Sequence, residues 1–140
     1  MSVEQYALER HLLLMPDLPD PPPVSWPNVD YKPNLSVTGF YLRVGFAPAR
    51  PDQASLGPPG VGFMRHVGVF AVDVFTARNR GSHLANQWAD RIEQHFNEGT
   101  VIEPGGVNIH VVRCGRQAAR EEADRFWVPV PVEYYCYRRI

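Results

Sequence analysis

The sequence predicts an α+β fold: a mixed or antiparallel β-sheet of about four to five strands with two α-helices packed on one face, in the order αββαββ. Two stretches repeat apolar residues at helical spacing, and others alternate with the period of a strand. The chain has 140 residues, of which 44% are hydrophobic and 21% charged, as in an average folded domain. We therefore expect a single domain spanning 1–140.

The N-terminal stretch predicts the first helix. Ser2 and Gln5 have the spacing of a capping box. An apolar helical face follows, made of Tyr6, Leu8, Leu12, Leu13 and Met15. Pro16 disfavours helical dihedrals in the residue before it, so the helix is expected over about 2–14.

Repeated prolines predict an extended, semi-rigid arm over residues 16–33. Trp26 and Tyr31 are large side chains in this arm with no regular element around them. Such groups dock either on their own domain or on a partner, and both alternatives stay open.

Residues 40–47, FYLRVGFA, alternate as a strand does, and the even-numbered side chains are expected to face the core. Proline and glycine then predict a long loop over residues 48–62. Residues 63–75 give the strongest strand signal, with two largely apolar faces. Because an exposed apolar face would aggregate, we expect helices on one side and possible subunit contacts on the other.

The second helix is predicted over about 82–96, with Ser82 as its N-cap. Its apolar face contains Leu84, Ala85, Trp88, Ala89, Ile92 and Phe96. Two further strands are expected at 107–114 and 126–137, with a charged loop between them. Pro129 and Pro131 remove two N–H groups on the same side, which predicts an edge strand.

No motif of an enzyme or of a cofactor or metal site is found, so we expect none of these. The five histidines lack the spacing of a zinc site, and Cys114 and Cys136 are expected to be reduced. Asp73 lies in an apolar strand. It is either a structural hydrogen-bonding group or the acid of a small hydrolase with His66 or His110.

Arginine supplies 13 of the 14 basic residues, a bias that is found in protein interfaces and also follows from base composition. The charged loop and its surroundings contain Arg113, Arg116, Arg120 and Arg125. They either form a solvated loop or pair with a neighbouring subunit, a role that Arg78 and Arg80 could share.

Four blocks of the sequence resemble, in order and spacing, the tail-terminator-like family of long-tailed bacteriophages. They are VSWPNVDY, FYLRVGFAPARP, GVFAVDVFTARNRGSHLANQWADRIEQHF and GGVNIHVV. No single block is diagnostic, but a Trp-Pro-Asn arm combined with a strand–Asp–helix unit is specific. The C-terminal segment EYYCYRRI is more aromatic and basic than the family pattern.

The resemblance implies a structural virion protein, made in the host cytoplasm, that forms a ring, typically of six copies, on the head-proximal end of the tail tube. The implied partners are further copies of the chain, the major tail tube protein and a head-tail connector or neck protein; DNA only passes through the lumen, and no membrane is involved. We expect the subunit and tube interface to include Trp26, Tyr31, Arg78, Arg80, Arg113, Arg116, Arg120, Arg125, Pro129 and Pro131.

Two other functions stay open at this point. One is a different neck or tail-completion protein, such as a head-tail connector of similar fold. The other is the small enzyme that Asp73 suggests.

Overall fold

A computed structural model describes residues 3–19, 22–27, 39–49, 52–53, 63–77, 83–102, 108–121 and 125–139. In chain order the elements are α1 (Val3–Leu13), β1 (Val24–Ser25), β2 (Phe40–Pro48), β3 (Asp52–Gln53), β4 (Phe63–Ala77), α2 (His83–His95), β5 (Val101–Ile102), β6 (Ile109–Cys114), β7 (Arg120–Glu121) and β8 (Arg125–Arg139).

The predicted sheet of four to five strands in the order αββαββ is wrong. The described residues form one eight-stranded sheet with the path β1-β2-β4-β8-β6-β5, while β3 pairs with β4 and β7 with β8. The sheet curls into a half-barrel. The four strands absent from the prediction, β1, β3, β5 and β7, are two residues long. Two residues cannot show a period-2 alternation, so composition assigned these segments to an arm or to loops.

The centre of the sheet is the antiparallel pair of β4 and β8. Their register runs without a break from Phe63 opposite Arg139 to Ala77 opposite Arg125. On the other side of β4, strand β2 pairs from Phe40 opposite Thr76 to Pro48 opposite Gly68. β4 and β8 each have 15 residues and are roughly 50 Å long, whereas the 13 residues of α2 are roughly 20 Å long.

The prediction that the last strand is an edge strand is also wrong. β8 lies between β4 on one side and β6 and β7 on the other. The carbonyl of Pro129 accepts a hydrogen bond from the Gln117 amide at 2.8 Å, so its backbone polar side points away from β4. Pro131 has the same orientation because it lies two residues on. Both prolines fall between the positions paired with β6 and those paired with β7, where no ladder N–H is needed.

The core lies between the helices and the even-numbered side of the sheet. Buried even-numbered residues of β2, β4 and β8 pack with Leu8 and Leu12 of α1 and with Trp88 and Ile92 of α2. This confirms the even-numbered side of β2 as the core side, with Phe46 only half-buried. Within the described residues, no helix is long and apolar enough to cross a membrane.

Part of the proline-rich arm joins the sheet. Val24 and Ser25 form β1, which runs parallel to β2, and the Leu42 amide donates to the carbonyl of Pro23 at 2.8 Å. Trp26 follows and packs half-buried against the core. Its docking on its own domain is therefore confirmed, while residues 20–21 and 28–33 of the arm lie outside the described part of the chain.

The C-terminal ends of the two helices are joined by a pair of histidines. The His11 and His95 rings stack with centroids 4.1 Å apart. His11 Nε2 lies 3.0 Å from the His95 carbonyl oxygen, and His95 Nε2 lies 2.5 Å from the His11 carbonyl oxygen. Each ring must therefore be protonated at Nε2 to donate, and each satisfies a carbonyl near a helix end.

We expect this pair to make the fold less stable in acid. Burial lowers the pKa of His95 below its ordinary value; the hydrogen bond to the His11 carbonyl opposes this shift, and repulsion from His11 adds a smaller lowering effect. The unfolded chain takes up this proton near pH 6.5, before the folded chain does. The contribution of the neutral His95 ring to the free energy of unfolding is therefore fully present above about pH 6.5 and is lost as the pH falls below it. Urea midpoints at pH 7.5 and 5.5 measure the loss.

The control for this measurement is His95→Leu, which removes the titrating ring. Its urea midpoint should depend less on pH than that of the wild-type chain over the same interval. An equal pH dependence of the two proteins would show that other groups cause it.

Candidate functional site

The odd-numbered side of the sheet faces away from both helices. The core cluster contains no odd-numbered residue of β2, β4 or β8 among the described ones. This side, called the odd face below, carries large aromatic and charged side chains instead of the small polar groups of an ordinary solvated sheet. It is the candidate functional site of the chain.

Three aromatic rings cross the odd face in one row. Tyr41 of β2 lies opposite Phe75 of β4, which lies opposite Trp127 of β8. The Tyr41 and Phe75 ring centroids are 4.9 Å apart, those of Phe75 and Trp127 are 5.2 Å apart, and both pairs are nearly parallel. The central ring, Phe75, is fully buried although it lies outside the core cluster.

Three arginines cover these rings. The guanidinium carbon of Arg43 lies 4.7 Å from the Phe75 centroid and 5.2 Å from that of Trp127. Arg125 lies 5.0 Å from Phe75, and Arg120 lies 5.2 Å from Trp127. A guanidinium over a ring face gains cation–π attraction. The three rings and three arginines are called the arginine–aromatic cluster below.

One carboxylate lies in this cluster. Asp73 Oδ2 accepts a hydrogen bond from Arg43 Nη2 at 3.1 Å. The Asp73 side chain is only 13% exposed, and its burial raises the pKa of the carboxyl despite the arginine. The hydrogen-bonding role predicted for Asp73 is confirmed. Asp73 thus balances the charge of Arg43, and Arg125 Nη1 donates to the Tyr41 hydroxyl at 3.4 Å.

The far end of the odd face forms a largely apolar groove of about 460 Å³. Its walls include Val67, Val69, Val112, Tyr135 and Tyr137, and the charged residues Arg65 and Glu133 also line it. Val112 and Tyr137 are 43% and 48% exposed, and Tyr135 stacks on His110 at 4.8 Å. This region is called the tyrosine groove below. Trp127 and Tyr135 are eight positions apart on β8, so cluster and groove lie roughly 26 Å apart along the strand.

The predicted interface arginines have different positions. Arg120 and Arg125 belong to the arginine–aromatic cluster. Arg113 is 77% exposed and lies 3.7 Å from Glu133. Arg116 is bound within the chain: it donates to Glu93 at 2.6 Å and to Asn86 at 3.2 Å, and it pairs with Asp90. It thereby holds the segment before β7 against α2.

Arg116→Ala should lower the free energy of unfolding by about 1–2 kcal/mol, because several charge-assisted hydrogen bonds of a partly exposed side chain are lost. Arg113→Ala is the matched control and should cost less than about 0.5 kcal/mol. Urea denaturation followed by circular dichroism measures both. Equal losses in the two variants would contradict the structural role of Arg116.

The other predicted interface residues are distributed over the molecule. Trp26 lines a small groove with α1, on a different surface from the odd face. Pro129 and Pro131 lie inside β8 on the odd face, and Pro129 is buried. Tyr31, Arg78 and Arg80 lie outside the described residues. The interface role of all ten residues stays a prediction.

The groups that could carry acid–base chemistry are not brought together. His66 lies opposite Cys136 on the core side, whereas Asp73 lies opposite Pro129 on the odd face. His110 lies opposite Tyr135, which is six positions, or roughly 20 Å, from Pro129 along β8. No group of three or more potential metal ligands is present in the described ranges.

Both cysteines are free. Burial raises the pKa of the Cys114 thiol to about 12, with a smaller effect from Glu93. Cys114 is therefore a thiol at neutral pH and not a nucleophile.

Four members of the cluster were not predicted as site residues: Tyr41, Arg43, Phe75 and Trp127. The alternation of FYLR and VDVF does place Tyr41, Arg43 and Phe75 on the side opposite the core. The alternation does not give the register between the strands, and it is this register that places the aromatic residues in one row.

Comparisons with known proteins support the sequence resemblance. The model of a family described as phage tail terminator protein matches residues 5–134. A solved structure with 26% sequence identity superposes with a TM-score of 0.75, covering 100% of this chain and 98% of that chain. Among curated proteins, none matches. The family match extends over nearly the whole chain and confirms the resemblance. The chain therefore belongs to the phage tail terminator protein family and is a structural protein of the phage tail.

Proposed function

We propose that the chain is the tail terminator subunit itself. It forms a ring, with six copies as the expected number, that caps the head-proximal end of the tail tube and ends tube polymerisation. The exposed side of the ring joins the tail to a connector or neck protein of the head, and DNA passes through the lumen. The family match over residues 5–134 carries this proposal.

The structure supports an assembly role in a second way. One face of the sheet and both helices enclose the core, while the odd face carries tryptophan, tyrosine and arginine. These are the residue types enriched where protein interfaces gain most of their binding energy. A ring needs two different contact surfaces on each subunit, and the odd face is suited to be one of them.

The test is removal of the gene from the phage or prophage that encodes the chain. Electron microscopy should show tails that are overlong or not attached to heads, and expression of the chain from a plasmid should restore particles of normal tail length. Tails of uniform normal length without the chain would contradict the proposal.

A terminator and a head-tail connector are distinguished by what the purified chain binds. Mixed with tail tubes assembled from the major tail tube protein, a terminator should bind one end of each tube and stop further growth. Electron micrographs and tube-length distributions measure both effects. Binding to isolated heads but not to tubes would favour the connector.

A further inference from the structure

One end of the sheet is only partly covered. Strand β1 pairs with β2 at Leu42 and Arg43 and at no later residue of β2. The Leu42 amide donates to the β1 side, so the backbone groups of Val44 and Phe46 point the same way, because every second residue of a strand does. The outer side of residues 44–47 is called the open edge below.

Pro27 explains why β1 goes no further. In the parallel register that places Ser25 opposite Arg43, the Val44 amide faces the Ser25 carbonyl. The next donor toward β2 would be the amide of residue 27, and proline has none. Within the described ranges, the Val44 carbonyl and the Phe46 amide therefore have no strand partner. Residues 44–47 also lack the charged side chains that often protect such an edge.

Strand β5 forms the opposite end of the sheet. The Val111 amide donates to the Thr100 carbonyl, so Thr100 turns its polar groups toward β6. Val101 is the next residue and turns its amide and carbonyl outward. Among the described residues, no strand lies beyond β5 on this side. The Val101 side chain is also 44% exposed, so both its backbone and its side chain are accessible.

The two ends match in direction and in face. Every step from β2 through β4, β8 and β6 to β5 is antiparallel, so β2 and β5 run the same way. Val101 lies opposite His110, which lies opposite Tyr135 on the odd face. Gly45 lies on the odd face as well. A neighbouring copy that continues the sheet would therefore place its β5 parallel to β2, with both odd faces on one side.

One register between two copies uses all these groups. With Val101 of one copy opposite Gly45 of the next, the Val101 amide donates to the Val44 carbonyl. In the same register, the Phe46 amide donates to the Val101 carbonyl. The exposed valine side chain then lies beside a residue without a side chain. The fold of one copy does not require glycine there, because an added Cβ would meet Ala71 Cβ at 3.8 Å, an ordinary contact.

We propose that copies of the chain join head to tail, with β5 of one copy paired in parallel with the open edge of the next. The occupant of the open edge is a second copy because this chain itself supplies the matching direction, donor, acceptor and exposed valine. Such a contact closes into a ring if the rotation between copies closes. The inference rests on the proposed function in taking the assembly to be a ring in the tail.

Cross-linking in assembled tails tests the contact. Phage lacking the gene are complemented with the double variant Ala47→Cys, Val101→Cys, and purified tails are treated with a short bismaleimide. In the proposed register the two positions are diagonal neighbours, within roughly 8 Å. Denaturing gels should show a ladder of covalent multimers, and each single variant should show none. Tails of normal length that contain the double variant and give no ladder would overturn the proposal.

Val112 supplies a matched control. Its side chain is 43% exposed, against 44% for Val101, but it lies on β6, one strand further from the proposed contact. The double variant Ala47→Cys, Val112→Cys should therefore give no ladder. Equal ladders from the two double variants would show random encounters of exposed cysteines and would also overturn the proposal.

A charge pair tests the same contact independently. Gly45→Asp with Val101→Asp places like charges side by side and should lower the yield of infectious particles on the order of tenfold or more. Gly45→Asp with Val101→Lys should restore most of the yield. The two positions lie at opposite ends of the sheet within one copy, so only contact between copies couples them. Equal yields from the two combinations would contradict the contact. Melting curves verify folding, and Ala47→Asp replaces Gly45→Asp if the latter unfolds at the growth temperature.

A photo-reactive amino acid in place of Ala47 identifies what covers the open edge. Mass spectrometry of irradiated tails should find it joined to residues 101–102 of another copy. A product with a different tail protein, or with another segment of the same copy, would overturn the second copy as the occupant.

The outcomes separate this inference from the proposed function. Normal tails without the gene overturn the proposed function, whatever the cross-links show. Defective tails without the gene, combined with normal tails that contain the cysteine pair but give no ladder, overturn only the contact between sheet ends.

Discussion

Phe75→Ala is expected to lower the free energy of unfolding by about 3–5 kcal/mol. The ring is fully buried between Tyr41 and Trp127, with the guanidinium groups of Arg43 and Arg125 over it. Its removal leaves a cavity and also removes the platform on which the arginines stack. The melting temperature should fall by roughly 10–15 °C for a chain of this size.

Two further variants isolate the causes of that loss. Phe75→Leu retains most of the apolar volume but not the ring stacking, so it should cost about 1–2 kcal/mol. Val112→Ala, at an exposed position on the same side of the sheet, should cost less than about 0.5 kcal/mol. Thermal unfolding followed by circular dichroism compares the three. A loss below about 1 kcal/mol for Phe75→Ala would show that the buried Phe75 ring contributes little to the stability of the fold.

The long elements of this fold are predictable from the sequence because each has its own periodic signal. The expected helix over about 82–96 compares with His83–His95, and the expected strand over 126–137 with Arg125–Arg139. In both cases the apolar side chains that recur with the period of the element face the same core, so local pattern and tertiary burial agree. The buried row of Leu8, Leu12, Trp88 and Ile92 follows from the same patterns.

Strand pairing could not be predicted in this way. Pro129 and Pro131 indicate only that one side of β8 lacks donors over a short stretch. A strand at the edge of the sheet meets this condition, and so does a strand whose neighbours on one side leave a gap. The fold contains such a gap, between the residues of β8 that pair with β6 and those that pair with β7. The same limit applies to the site: Tyr41, Phe75 and Trp127 are far apart in sequence, and only the register of three strands makes them neighbours.

Phe96→Ala should have an effect of similar size, about 3–5 kcal/mol, for a different reason. Phe96 is fully buried just after α2, and its ring meets those of His11, His95 and Phe70. It therefore joins α1, α2 and β4 at one point. Without it, water can reach the histidine pair, and the two helix ends lose their common support. Amide hydrogen exchange in α1 should accelerate more than exchange in β8.

The same variant also tests the origin of the acid sensitivity. Burial is the main cause of the lowered pKa of His95, and Phe96 supplies part of that burial through its edge-on contact with the ring. Phe96→Ala should therefore reduce the dependence of the urea midpoint on pH between 7.5 and 5.5, in addition to lowering the midpoint itself. Combining it with His11→Ala should cost less than the sum of the two single changes, because both remove the same contact. Strict additivity would mean that the helix ends are held independently of Phe96.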